Sequence, residues 1–398
     1  MVERCDILIS GGGVAGMTAA AAFGSAGFSV ICVDPAPPVT EAEAEGADLR
    51  TTAFLQPSVR LLEEIGLWER FAPHAMPLQM MRIIDAGGAV CEARSVHDFD
   101  AADISDAPFG QNLPNWLLRR ELVTHLQGCN TVSFRPGTGT AAVLTRDGEA
   151  RVTLSDGGRV SARLLVAADG RDSPVRRALG IGVRTIRYGQ KALAFAVGHD
   201  IPHRNVSTEV HRSGGPFTLV PLPDHAGSPA SAVVWMEHGP EALRLAALPV
   251  AEFEAAMTDR STGLLGPLRL ISRRTVWPII SQTAERMTAQ RSALMAEAAH
   301  VVPPIGAQGL NMSLADLRVL HDLACADRAG LGGAAMLDAY ARARRADVMV
   351  RVAGIDLLNR ASMADARPLR DARAAGLRML HGLAPVRRGL MRLGLGAG

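Results

Sequence analysis

Gly11, Gly13 and Gly16 stand in the spacing G-x-G-x-x-G, with Val14 and Ala15 in the last gap. A loop of that kind suits a pyrophosphate. Its first glycine permits a tight turn, its second lets the backbone approach the phosphates, and its third lets helix and strand pack closely, with the phosphates on the helix N-terminus. Asp34 ends the next apolar run, at the separation expected of a carboxylate that hydrogen-bonds a ribose hydroxyl. A glycine turn that merely packs is the plain alternative, but strand, loop, helix and acid in that order favour a bound dinucleotide. The loop alone does not distinguish NAD from FAD.

Two later stretches carry further chemistry. Ala168-Asp169-Gly170, with Ser173 and Arg176 behind it, ends a strand in a turn that lets one carboxylate and nearby amides approach a second part of a nucleotide. An ordinary β-turn before a helix is the equal alternative for that motif in isolation. Residues 296–311 read "AEAAHVVPPIGAQGLN": Glu297 is expected to end an apolar strand beside a polyol chain, Pro303 and Pro304 stiffen the chain after it, and Gly306, Gln308, Gly309, Leu310 and Asn311 form a turn that opens a helix. The free amides and positive dipole end of such a helix suit an electron-rich ring that gains negative charge on reduction.

The elements that must hold these residues can be read from hydrophobic period. "CDILIS", the glycine loop, "MTAAAAFGSAG" and "FSVICVD" read as strand, turn, helix and strand, the opening of a βαβ unit with buried parallel strands. An amphipathic helix is expected over 57–71, interrupted late by Gly66, and another over 116–128. "ARVTLSDGGRVSARLLVAADG" reads as two strands joined by an Asp-Gly-Gly turn, and 184–278 is rich in strands. The fold class expected is α/β: a Rossmann-like domain from 1–75, 111–183 and 279–335, a β-rich substrate domain from 76–110 and 184–278, and C-terminal helices over 336–398. Residues 76–110 look short and irregular, and "EAEAEGAD" at 41–48 reads as a solvated turn.

Composition excludes several classes. A formal charge of +2 over 398 residues gives no electrostatic footprint for nucleic acid. Five scattered cysteines, Cys5, Cys32, Cys91, Cys129 and Cys325, lack disulfide or zinc-ligand spacing and point to a reducing compartment, and no metal site is expected. No secretory signal and no membrane-spanning apolar run is visible.

Taken in order, G-x-G-x-x-G, A-D-G-x-x-S-x-x-R and the acid followed by A-A-H…P-x-G-x-Q-G-L-N resemble the class A flavoprotein aromatic hydroxylases, built like p-hydroxybenzoate hydroxylase. "DLRTTAFLQPSVRLLEEIGLWE", "PIGAQGLNMSLADL" and "YARARRAD" are similar to the ubiquinone-biosynthesis hydroxylases among them, over essentially the whole chain. The resemblance implies FAD as cofactor, with Gly11, Gly13, Val14, Ala15 and Gly16 at the pyrophosphate and Asp34 at the adenosine ribose. It puts Arg50 and Arg119 at the diphosphate, Asp169 and Gly170 at FAD and the pyridine nucleotide, Glu297 at the ribityl chain, and Pro304, Gly306, Gln308, Gly309, Leu310 and Asn311 about the isoalloxazine. Where the family usually has Gly-Asp, this chain has Ala296-Glu297; a longer carboxylate on a bulkier backbone is expected still to bind FAD.

The activity implied is hydroxylation of the aromatic ring of a polyprenylphenol intermediate in ubiquinone biosynthesis, through a flavin hydroperoxide formed from reduced FAD and O2. NAD(P)H or a protein such as a ferredoxin supplies the electrons, and no catalytic side chain is assigned. The alternatives are a flavin hydroxylase or reductase for another aromatic or isoprenoid metabolite, and a flavin-holding scaffold subunit, motivated by Ala296-Glu297. The expected location is cytoplasmic, with the basic C-terminal stretch a candidate for peripheral contact with the inner membrane or a ubiquinone-biosynthesis complex; docking on its own domain or on a partner subunit is an equal alternative. His300 is expected to fix a loop, with assistance to proton transfer as the alternative, His199, His203 and His211 to lie on the surface, Trp277 to pack, and Tyr340, Arg344 and Asp347 to make spaced surface contacts on one helix.

Overall fold

A computed structural model describes residues 2–395 except 89, 91 and 365, so Cys91 lies outside the described residues. The continuously apolar runs do what buried strands must. Glu3–Ser10 pairs in parallel with Val30–Asp34 on one side and with Arg159–Ala167 on the other. Ser292–Leu294 and Val132–Pro136 extend this parallel sheet outward. Ile7, Leu8, Ile9 and Leu165 are wholly buried there beneath the alanines of helix Val14–Ser25. The Asp-Gly-Gly turn closes an antiparallel hairpin between Ala150–Leu154 and Arg159–Ala167, with Gly157 in the left-handed region at φ 86°. The architecture is α/β, as expected.

A second, nine-stranded sheet is built around the long strand Val183–Gly198, antiparallel to both Ser228–His238 and Thr275–Ala284. Alternation gives it two faces. Leu193, Phe195 and Trp235 pack under helix Val250–Arg260 through Phe253 and Met257. The other face presents Ala192, Met236 and Ile279 to Ile305 and Met312 of the late glycine turn and its helix, and to Val348 and Ile355 of the long helix Ala334–Ser362. The two sheets are thereby locked together at the late turn.

Several expectations need correction. The stretch 76–110 is less irregular than its composition suggests: Met80–Asp85 and Ser95–Asp100 pair with each other, and Met80–Asp85 joins the second sheet in parallel with Val206–His211. Within 41–48 the last residue is not solvated, because the Asp48 carboxylate is held by Arg50 and Asn115. His199 is buried, bonded to Ile201 O and Ser231 Oγ, and His211 is paired with Glu209 at 2.7 Å; neither is a surface residue. Tyr340 and Arg344 are buried as well, since their helix packs its inner face on the parallel sheet and the helix of the late turn. After that helix the chain ends in two more, Arg367–Gly382 and Ala384–Leu395. Among the described residues no helix is long and apolar enough to cross a membrane, and no cluster of three or more His, Cys, Asp or Glu fits a metal ion.

Candidate active site

Four parallel strands end at one edge of the first sheet, and each delivers a residue singled out by its type. Glu3–Ser10 ends at Gly11, Val30–Asp34 at Asp34, Arg159–Ala167 just before Asp169, and Ser292–Leu294 just before Ala296-Glu297. The edge is stitched by backbone bonds: Gly11 N donates to Val33 O at 2.8 Å, Ala168 N to Ser10 O at 2.8 Å, and Met295 N to Ala167 O at 3.0 Å. In an open α/β sheet, the carboxyl ends of the strands are where ligands bind.

The glycine loop can be only glycine at two points. A Cβ on Gly11, whose φ is +116°, would lie 2.2 Å from Ala168 O, and one on Gly16 would lie 1.9 Å from Gly11 O. Gly13 differs: a Cβ there meets nothing within 4 Å, so its backbone is open to a ligand. Gly13 is also the N-cap of helix Val14–Ser25 and supplies no side-chain cap, which leaves the first amides to an anion. Asp34 accepts from Gly12 N at 2.6 Å and from Ala36 N at 2.9 Å, which fixes its carboxylate against the loop.

Arg50 grips Asp48 through two 2.7 Å bonds and lies 5.5 Å from the centre of the Trp277 ring, so this tryptophan packs against a cation. Arg119 reaches the same carboxylate at 3.6 Å, while its buried Nε has no partner. Burial alone would raise the Asp48 carboxyl, but the bonds and charges of Arg50 and the neighbouring Arg119 hold it below its ordinary value. Asp169 is the reverse case. Burial lifts it above the ordinary range although it accepts bonds from Ser173 Oγ and Val175 N. Those bonds take one acceptor site on each Asp169 oxygen, and Gly170 follows at φ +82°.

Glu297 does not end a strand. Ser292–Leu294 stops early, and Ala296–Ala298 makes one 3-10 turn that aims the Glu297 carboxylate outward, about half exposed, with Arg171 Nε at 3.9 Å. Ala296 adopts φ +55°, a conformation suited to the glycine usual in the family. It is held there by Asp316, whose Oδ2 accepts from Ala296 N at 3.1 Å and from His300 Nε2 at 2.7 Å, while Oδ1 accepts from Arg344 Nε at 2.7 Å. Asp316 is fully buried; burial raises its carboxyl, yet His300 and Arg344 hold it below the usual carboxylate range. His300 thus fixes a loop, as expected.

In the late turn, Gly306 and Ala307 both take left-handed φ, at +62° and +56°, and helix Gln308–Ala326 begins without a side-chain cap. Pro304, Gly306 and Gly309 are exposed, and a Cβ on Gly309 would meet open space. Leu310 packs partly on the first core. The Asn311 side chain points inward instead of lining the turn: it accepts from Leu55 N and Ser58 Oγ and donates to Ala53 O and Ala307 O, all within 2.9 Å. Gln308 donates to Gly306 O and to Gly394 O at the chain's end, and accepts from Arg351. Arg351 is bound to Asp347, which also accepts from Arg344. Asp316 is the residue that the sequence did not single out; its signal was a lone acid in the apolar run "NMSLADL".

Two uncapped helix N-termini, glycines open toward solvent at each, and a buried unpartnered Arg119 Nε together fit an extended dinucleotide carrying a diphosphate. The class defined by this fold and edge is a flavin-binding α/β protein with a second sheet facing the late turn. The family described as "FAD binding domain" matches residues 4–353, and the chain belongs to it. Ubiquinone hydroxylase UbiL of Rhodospirillum rubrum is 35% identical over 395 residues, covering 98% of this chain and 89% of that protein. The 3-demethoxyubiquinol 3-hydroxylase of Escherichia coli is 26% identical, with 99% of each chain covered. Among solved structures, p-nitrophenol 4-monooxygenase PnpA of Pseudomonas putida superposes with a TM-score of 0.79 over 98% of this chain and 97% of its own, at 19% identity. The fold is therefore that of the FAD-dependent monooxygenases.

Proposed function

We propose that this protein is an FAD-dependent monooxygenase that hydroxylates the aromatic ring of a polyprenylated phenol on the way to ubiquinone. The observation that carries the reading is the convergence of Gly11, Asp34, Asp169 and Glu297 at or just beyond the carboxyl ends of four neighbouring strands. The names of the relatives support the substrate class. When bound, FAD supplies the electron storage and the dioxygen chemistry, and the chain supplies position and exclusion of water. The loop Gly11–Gly16 and the first helix N-terminus hold the diphosphate together with Arg119 and Arg50, Asp34 holds the ribose, and Glu297 holds the ribityl hydroxyls. The amides that open helix Gln308–Ala326 stabilise negative charge at the ring end. The second sheet, pressed on the late turn, walls the substrate from water. NAD(P)H or a protein donor reduces the enzyme; anaerobic bleaching by NADPH or NADH identifies which.

A polyprenyl chain must be collected from a lipid surface or a lipid-carrying assembly. Residues 348–398 hold nine arginines against three aspartates, a charge of +6 in a chain whose total is +2. Arg373 and Arg387 are paired with Asp85 and Asp103 outside this segment, and the excess that remains supports peripheral contact of the last two helices with anionic lipid. The deciding experiment is deletion of the gene followed by mass spectrometry of the quinone pool. A prenylated precursor lacking one ring hydroxyl is expected; an unchanged pool overturns the proposal. A second reading, a flavin-holding scaffold, draws on the strained Ala296 and the loosely held Glu297. A purified protein that turns yellow with added FAD, yet whose flavin neither NADPH, NADH nor a protein donor reduces, would favour it.

A further inference from the structure

The long helix Ala334–Ser362 has two unlike faces. Its inner face holds the late turn through Arg344 and Arg351 and the second sheet through Asn359, which donates to Gln190 Oε1 at 2.9 Å. Its outer face is covered by none of the described residues. There Met349, Val350, Leu357 and Leu358 are 58, 65, 69 and 57% exposed, with Ala353 and Gly354 exposed between them and Ala346 and Ala361 exposed at the ends. No charged residue interrupts this stripe, which runs about 24 Å along the helix. A continuous apolar patch of this size on a protein surface is often functional.

The order of side-chain sizes reads the same from either end of the stripe, about a midpoint between Ala353 and Gly354. We infer that this face pairs with a second copy of the chain, the two long helices running antiparallel about a two-fold axis at that midpoint. Met349 then falls opposite Leu358 of the partner subunit, Val350 opposite Leu357 of the partner subunit, and the small residues meet at the axis where the backbones come closest. Such a seam is self-complementary and closes at two copies. Four large side chains and the small ones between them present on the order of 500 Å² per copy. Pairing therefore removes on the order of 1,000 Å² from water, the lower end of a specific interface. Along Met349–Leu358 the neighbouring charges favour a protein over anionic lipid as occupant, because Asp347 with Arg351 and Asp356 with Arg360 are paired within the helix at 2.8 Å, and the exposed Arg342 and Arg345 flank only its Ala346 end. The basic excess lies further on, after residue 366.

Light scattering of the full-length, FAD-loaded protein at micromolar concentration is expected to give twice the chain mass of 42.0 kDa. The double variant Val350→Glu, Leu357→Glu is expected to run as a monomer with unchanged circular dichroism and flavin absorbance. Register is read independently by mild oxidation. Ala353→Cys is expected to form a linked dimer and Met349→Cys alone to form none, whereas Met349→Cys mixed with Leu358→Cys links. A wild-type monomer at these concentrations overturns the inference, as does Met349→Cys linking to itself as readily as Ala353→Cys. So does a wild-type monomer that floats with anionic vesicles through this face, shown by loss of flotation in the double variant.

Discussion

At the scale of the residue, Ala296 and Glu297 show how one departure from a family pattern is absorbed. A left-handed alanine is strained relative to glycine, and here it is retained because Asp316 ties down its amide. Ala296→Gly is expected to stabilise the protein by about 1 kcal/mol, read as a raised denaturant midpoint, with FAD affinity unchanged or improved. Glu297→Gln keeps the length of the side chain and loses its charge; its FAD dissociation constant, titrated by visible absorbance, is expected to rise about tenfold, the equivalent of about 1.4 kcal/mol. Asp316→Asn leaves His300 and Arg344 facing a neutral amide and is expected to cost about 3–5 kcal/mol at neutral pH. The sign of its pH dependence is set by the lowered carboxyl. The stabilisation is complete above the unfolded value of about 4 and vanishes as pH falls through the lower folded value. Melting curves of wild type and variant should therefore converge in acid, and a gap that persists there would exclude ionisation of Asp316 as its source.

At the scale of the element, the first glycine turn separates folding from binding. Gly16→Ala drives a methyl into Gly11 O, so both stability and flavin binding are expected to fall. Gly13→Ala meets no protein atom. It should leave the melting temperature of the flavin-free protein in place while weakening FAD binding at least tenfold, by intruding on the diphosphate. Equal loss of stability in the two variants would remove Gly13 from the cofactor surface. Asn311 is a brace of the opposite kind: three of its four bonds tie the late turn to strand Thr51–Leu55 and the helix after it. Asn311→Ala is expected to destabilise by about 2–4 kcal/mol, with FAD binding lost in proportion.

At the scale of the whole molecule, removal of 366–398 tests lipid contact: vesicle flotation is expected to fall, and retention of binding would rule that segment out. What the sequence made legible was local. The G-x-G-x-x-G turn, the Asp-Gly-Gly hairpin and the buried alternating strands are written in neighbouring residues whose period or conformational need is unmistakable. Partners far apart in the chain were not legible. Nothing near Asp316 names His300 or Arg344, nothing near Asn311 names Leu55, and Met80–Asp85 of the 76–110 stretch enters the second sheet by pairing with residues past 205 as well as with Ser95–Asp100. The same reason hid the burial of His199 and Tyr340, since an exposed and a buried ring look alike until the opposite wall is known.

The four strand ends that converge on the ligand edge come from positions as distant as residue 10 and residue 294, and the late turn depends on Arg344 and Arg351 beyond them. During synthesis, a nascent chain still tethered in the ribosome tunnel before those arginines emerge has no complete flavin seat. Loading is thereby postponed until Arg344 and Arg351 have left the ribosome, and polypeptides released before then lack those supports of the late turn.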